Sequence, residues 1–160
     1  MTSRTRWVAI AASVVLLLSA CSKSSTQTQS APPSQSAQTP STSAQQTVAV
    51  TLQQWSITPS VTTVAAGSIT FTVTNAGTIP HEFVVLSTDT AAGAFTVGSF
   101  EGEADRIDED TAGTNVGETG DMDPAAAKSI TIALQPGHYA LVCNLPGHYG
   151  LGMHIDFTVG

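Results

Sequence analysis

Short runs in which every second residue is apolar recur along the C-terminal part of the chain. Val48, Val50 and Leu52 form one such run, Ile69, Phe71 and Val73 a second, and Ile130, Ile132 and Leu134 a third. Tyr139, Leu141 and Cys143 share one parity, as do Met153, Ile155, Phe157 and Val159. Side chains alternate across a strand, so this period of two predicts strands with one face buried. Turn-forming residues separate the runs at Ala66-Gly67, Asn75 to Pro80 and Pro136-Gly137,. No long stretch has a helical period, so residues 47–160 are expected to form an all-β domain, an antiparallel sandwich or barrel.

Two segments break this texture at the N-terminal side. Arg4 and Arg6 precede an uncharged apolar stretch from Trp7 to Ala20 that is short for a membrane span and suits a secretory signal,. It ends in Leu18-Ser19-Ala20-Cys21, which resembles the lipobox of bacterial lipoproteins. Residues 1–20 are therefore read as a lipoprotein signal peptide and Cys21 as the lipidated N-terminus of the mature chain, an extracytoplasmic protein anchored to the cell membrane. Residues 21–46 are dominated by Ser, Thr, Gln, Pro and Ala and hold no large apolar side chain. Such a segment cannot offset the entropy of ordering and is expected to be a disordered linker, with a root-mean-square span of about 25–30 Å.

A third segment, residues 101–123, carries nine of the chain's 12 acidic residues against one base, Arg106. With four glycines in it, this stretch is expected to be a long surface loop with a short helical turn,. Removal of Arg4 and Arg6 leaves three basic residues, so the net charge moves from -7 to -9,. That balance argues against nucleic acid as a partner. The acidic stretch reads first as a solvated insertion, then as a docking patch for a basic partner, and third as a calcium site, for which no EF-hand spacing is present.

If Cys21 carries lipid, Cys143 is the one thiol left in an oxidising compartment and has no partner for an intramolecular disulfide. It could be buried and inert, paired between molecules, a nucleophile or a metal ligand. The stretch PGHYALVCNLPGHYG, residues 136–150, frames the choice, because the same tetrapeptide flanks Cys143 on both sides. His148 follows Cys143 by five positions, and Met153 follows His148 by five. Two imidazoles, one thiolate and a weak axial thioether make a blue-copper site, so a second histidine is required from elsewhere in the fold. His81, in NAGTIPHEF, is the candidate.

The paired segments PHEF and CNLPGHYGLGM resemble those of the cupredoxins, with spacing nearest the sulfocyanin-like and auracyanin-like members. The resemblance spans about residues 47–160 and implies a Greek-key β-sandwich holding one type 1 copper ion. It makes His81, Cys143 and His148 the equatorial ligands and Met153 the axial one. One departure stands out: many cupredoxins have Asn after the first histidine ligand, where this chain has Glu82. His138 and His154 have the opposite parity to Cys143 and Met153 and are expected to face outward, which leaves the first PGHY structural and the second metal-binding.

The implied function is that of a monomeric electron carrier rather than an enzyme. The expected partners are an extracytoplasmic redox protein or a membrane oxidase or reductase. Leu145, Pro146, Tyr149 and Leu151 are expected to form an apolar docking surface around His148. The alternatives are copper sequestration or delivery without a redox role, and a metal-free adhesive sandwich.

Overall fold

The computed structural model describes residues 45–160. The expected signal peptide, Cys21 and the expected linker up to residue 44 lie outside the described residues. Eleven strands and one helical turn follow in order: β1 (Gln46–Gln53), β2 (Ser56–Pro59), β3 (Thr63–Val64), β4 (Gly67–Asn75), β5 (Val84–Ser87), β6 (Val97–Phe100), β7 (Glu103–Ile107), α1 (Glu109–Ala112), β8 (Thr114–Glu118), β9 (Ala127–Leu134), β10 (Gly137–Val142) and β11 (His154–Val159). Among the described residues no helix is long and apolar enough to cross a membrane.

Two sheets carry the domain. One has the order β2-β1-β4-β9, the other β3-β11-β10-β5-β8, and together they form an all-β Greek-key sandwich. The alternating runs lie where period two predicts. In β1 and β4 the buried apolar residues are Val48, Val50, Leu52, Ile69, Phe71 and Val73, all on inward parity. They meet Tyr139, Leu141 and Phe157 of the facing sheet, with Phe71 packed against Phe83 and Phe157 at centroid separations of 5.4 and 5.6 Å. Tilted and edge-on aromatic packing of this kind adds to the gain from removing apolar area from water,. The sandwich is not wholly antiparallel, since β1 runs parallel to β4 and β3 parallel to β11.

Two expectations need correction. Strand β10 is buried on both faces rather than one, and its neighbour β5 is buried on both faces as well. Val84, Leu86, Ala140 and Val142 pack into a second apolar cluster with Ala92, Ile107, Ala112 and Tyr149, because the excursion from residue 88 to 112 folds over the outer side of the sheet. The acidic stretch is also not one long loop. It contains β7 of the β6–β7 hairpin, the helical turn α1 and the sheet strand β8. Charged side chains on an exposed hairpin leave no apolar alternation to read. Arg106 fastens this one instead, through contacts of 2.7 Å to Glu103 and 3.3 Å to Glu101.

His138 and His154 stay out of the metal cluster. The His138 ring faces the Thr88 carbonyl at 2.7 Å through Nδ1 and the Asp156 carboxylate at 2.9 Å through Nε2. Asp156 also accepts from the Ala92 N–H at 2.7 Å. The Ala92 N–H first, and the His138 ring after it, hold the Asp156 carboxyl below its ordinary range.

A lowered folded-state pKa makes the ionised carboxylate stabilising above the unfolded value, and that contribution is lost as pH falls through the folded one. Asp156→Asn is therefore expected to lower the urea midpoint at pH 7. The gap from the parent protein should shrink as the pH is lowered below the ordinary carboxylate range.

Candidate metal centre

His81 enters the site from the 76–81 turn after β4. Asn75, fully buried, organises that turn: its Nδ2 donates to the Ile79 carbonyl at 2.9 Å and the Met122 carbonyl at 2.8 Å, and its Oδ1 accepts from the Gly77 N–H at 2.9 Å. His81 and Met122 then pair as an isolated antiparallel bridge, with N–H to carbonyl distances of 3.1 and 2.7 Å. A Cβ at Gly77 would lie 2.8 Å from Nε2 of His81, so this close approach admits only glycine without rearrangement,.

Cys143, His148 and Met153 come from the segment between β10 and β11. Its ends are tied by the Cys143 N–H to the Met153 carbonyl at 3.0 Å, and its interior by the Met153 N–H to the His148 carbonyl at 3.2 Å. Gly147 takes φ +82°, in the left-handed region, where a side chain would be strained,. This separates the two PGHY copies. Gly137 opens strand β10, whereas Gly147 turns the chain so that the next residue points into the site.

The expected ligands do come together. The donor atoms of His81, Cys143 and His148 all lie within 4.8 Å of one another. Nδ1 of His148 is 3.2 Å from Nδ1 of His81 and 3.4 Å from Sγ of Cys143. His81, Cys143 and Met153 are fully buried and His148 is 9% exposed. The Met153 backbone bonds both flanking ligand residues, and its side chain belongs to the same buried cluster as Cys143.

Electrostatics keep the free donors neutral. Burial pushes the Cys143 thiol up to about 11, against the opposing effect of the Glu82 and Leu145 N–H groups on the sulfur. Burial lowers both histidines, and at His81 the neighbouring His148 lowers it further. Two neutral imidazoles and a sulfur converging in an apolar pocket are donors suited to a soft or borderline cation, which would displace the thiol proton on binding. The Glu82 N–H donates to Sγ at 3.3 Å and so favours the thiolate form,.

Several residues of the site carry no local sequence signal for their role. Trp55, between β1 and β2, is 39% exposed and packs edge-on against His148 at 5.0 Å and His81 at 6.5 Å. Asn144, next to the cysteine, accepts from the Ile107 N–H at 2.8 Å and donates to the Ile107 carbonyl and Glu109. Glu82 is nearly buried and lines an acidic cleft, and burial first, then Glu109 and Glu118, push its carboxyl up to about 7. Tyr149 corrects an expectation: it does not line the surface around His148 but is 4% exposed, donating through its hydroxyl to the Ala92 carbonyl at 2.7 Å.

Asn75 should be the test of how the site is built. Asn75→Ala is expected to destabilise the metal-free protein by about 1–3 kcal/mol, because it leaves buried backbone groups without partners. Metal affinity should fall by about 10–100-fold as the His81 turn loosens. Chemical denaturation and competition with a chelator measure the two effects separately.

The fold has close counterparts among solved structures. The chain is similar to dithionite-reduced auracyanin from the photosynthetic bacterium Roseiflexus castenholzii, at 22% identity and a TM-score of 0.51, covering 74% of this chain and 98% of that one. It is similar to auracyanin A, a "blue" copper protein from Chloroflexus aurantiacus, at 20% identity and a TM-score of 0.52, covering 72% and 99%. A rusticyanin structure aligns at 18% identity and a TM-score of 0.50, covering 72% and 78%. No curated protein matches the sequence. The family model described as a cupredoxin-like domain matches residues 9–154, and the chain belongs to that family.

Proposed function

We propose that this protein is a blue copper electron carrier, with His81, Cys143 and His148 as equatorial ligands and Met153 as the axial one. The observation that carries the reading is the convergence of two imidazole nitrogens and one thiol sulfur within 4.8 Å inside the apolar core. Both auracyanin A, by its description, and the cupredoxin-like family assignment support it. Copper supplies a one-electron couple, and this donor set suits both of its oxidation states.

The chain's own residues would do the rest. The two sheets and the tied ends of the ligand loop hold the donors in place, so little movement need accompany a change of charge. The Glu82 N–H stabilises negative charge on the Cys143 sulfur. Burial of the donors excludes water and leaves no open position for a substrate, which favours a carrier over an enzyme,.

Electrons would enter or leave at the Trp55 side. His148 is nearly covered, and the exposed groups around it are Trp55, Pro146 and Leu151, the last 54% exposed. The docking surface expected from the ligand loop alone therefore loses Tyr149 and gains Trp55. In our reading the mature chain is lipid-anchored through Cys21, and residues 22–45 let the domain reach an extracytoplasmic redox protein or a membrane oxidase or reductase. The protein is expected to act as a monomer.

Addition of Cu(II) to the purified protein should produce an intense visible thiolate-to-copper charge-transfer band. Cys143→Ala should abolish it, His148→Ala should alter it strongly, and His138→Ala should leave it essentially unchanged. A band that survived Cys143→Ala would overturn the assignment. Reversible voltammetry is expected of a carrier, whereas ready transfer of copper to an acceptor without a reversible wave would favour delivery.

Trp55→Ala should leave the band in place and slow electron exchange between oxidised and reduced molecules, measured by NMR line broadening. An unchanged exchange rate would exclude the indole from the docking surface.

A further inference from the structure

One polar atom at the metal centre lacks a partner. His81 is fully buried, its Nδ1 faces His148, and its Nε2 makes no hydrogen bond among the described residues. The space beside that atom is the one Gly77 keeps open. The three heavy atoms nearest the point where a Gly77 Cβ would stand are Oε1 of Gln54 at 2.5 Å, Nε2 of His81 at 2.8 Å and Oδ1 of Asn75 at 3.1 Å. Nε2 therefore shares a small polar space with two amide oxygens.

The donors bordering that space are committed elsewhere. The Gly77 N–H goes to Oδ1 of Asn75 at 2.9 Å and the Thr78 N–H to Oε1 of Gln54 at 3.2 Å. Nε2 of Gln54 turns to Oγ1 of Thr78 at 2.7 Å, and Nδ2 of Asn75 donates to the Ile79 and Met122 carbonyls. These bonds also fix which end of each amide is the oxygen, because a backbone N–H can meet only an acceptor. A bare Nε2 would be a buried acceptor facing acceptors. A protonated Nε2 instead turns its hydrogen toward oxygens that each retain a lone pair, within reach directly or across one water.

We propose that Gln54 is a positioning residue of this centre: its Oε1, together with Oδ1 of Asn75, holds the proton of neutral His81 on Nε2, so that Nδ1 presents a lone pair to the site before any metal binds. Nδ1 of His148, 3.2 Å away, must then be the donor of the pair, since two lone pairs would otherwise face each other,. The two imidazoles are thus inequivalent. His81 is set as a ligand, whereas His148 has to give up its Nδ1 proton when a cation takes both nitrogens. Gln54 directly precedes Trp55, so the turn that lays the indole on the histidines also supplies the oxygen.

The consequence for copper rests on the function proposed above. An acceptor on the far N–H makes an imidazole a stronger ligand. Oxidised copper gains more from that than reduced copper, so the Gln54 oxygen lowers the reduction potential.

Two-bond proton–nitrogen NMR spectra of the metal-free protein, at a pH above the histidine range, read which nitrogen of each ring carries the proton. His81 is expected as the Nε2–H form and His148 as the Nδ1–H form; a proton on Nδ1 of His81 overturns the proposal, whatever the variants do. Gln54→Leu should move the His81 Nε2 proton resonance upfield and weaken Zn(II) binding to the metal-free protein by about tenfold. Gln54→Glu keeps an oxygen in that place and should restore both. Thr78→Val loosens the same turn but leaves Oε1 on the Thr78 N–H, and should keep the parent's resonance. An unchanged resonance in Gln54→Leu, or the same change in Thr78→Val, overturns the role of Gln54. In the copper-loaded protein Gln54→Leu should raise the reduction potential and Gln54→Glu lower it, opposite shifts that a merely loosened turn does not give. Shifts of one sign overturn that consequence. Absence of the charge-transfer band would remove the copper reading but leave the tautomers of the metal-free protein as an independent result.

Discussion

The backbone bond from the Cys143 N–H to the Met153 carbonyl, together with the His81–Met122 bridge, is the constraint on which the centre depends. Donors from two regions some sixty residues apart must converge in a space a few ångströms across. Side-chain preferences cannot achieve that, since each imidazole and thiol would be better solvated separately. The backbone pairings fix the positions from which the side chains start, and the two sheets hold the pairings. Removing water from the donors then makes them neutral and leaves metal binding as the way to satisfy them,.

The cost of that arrangement is visible in the polar residues buried around it. Asn75 and Asn144 are both nearly inaccessible, and each spends its amide on backbone groups of neighbouring loops. They act as internal staples, where an apolar residue would leave carbonyls and N–H groups without partners. Asn75 serves the histidine turn and Asn144 the hairpin that covers the outer sheet. The two loops that surround the sulfur are therefore held by hydrogen bonds, while the sandwich beneath is held by apolar packing.

The two sides of the centre differ in character. On one, Trp55 packs against the histidines, and Pro146 and Leu151 of the ligand loop are exposed apolar residues. On the other, Glu82 and the acidic cleft approach the sulfur through its N–H donor and the Asn144 contacts. Glu82 belongs to both descriptions, since its backbone serves the sulfur and its side chain the cleft.

Much of this was legible in the chain itself. Residue parity placed the inward faces of β1, β4 and β11, and the spacing of Cys143, His148 and Met153 marked a single ligand loop, because both depend on neighbours along the same segment. The same reasoning kept His138 apart from His148. Other features were decided only when distant segments met. The second apolar cluster turned β5 and β10 into strands buried on both faces, and an exposed hairpin of charged residues hid its own pairing. Tyr149 went inward and Trp55 came to the histidines because of where the 88–112 excursion and the β1–β2 turn lie, which no local pattern encodes. Periodicity records what one strand needs, whereas burial on its second face, and the convergence of charge around Glu82, depend on which remote segment covers it.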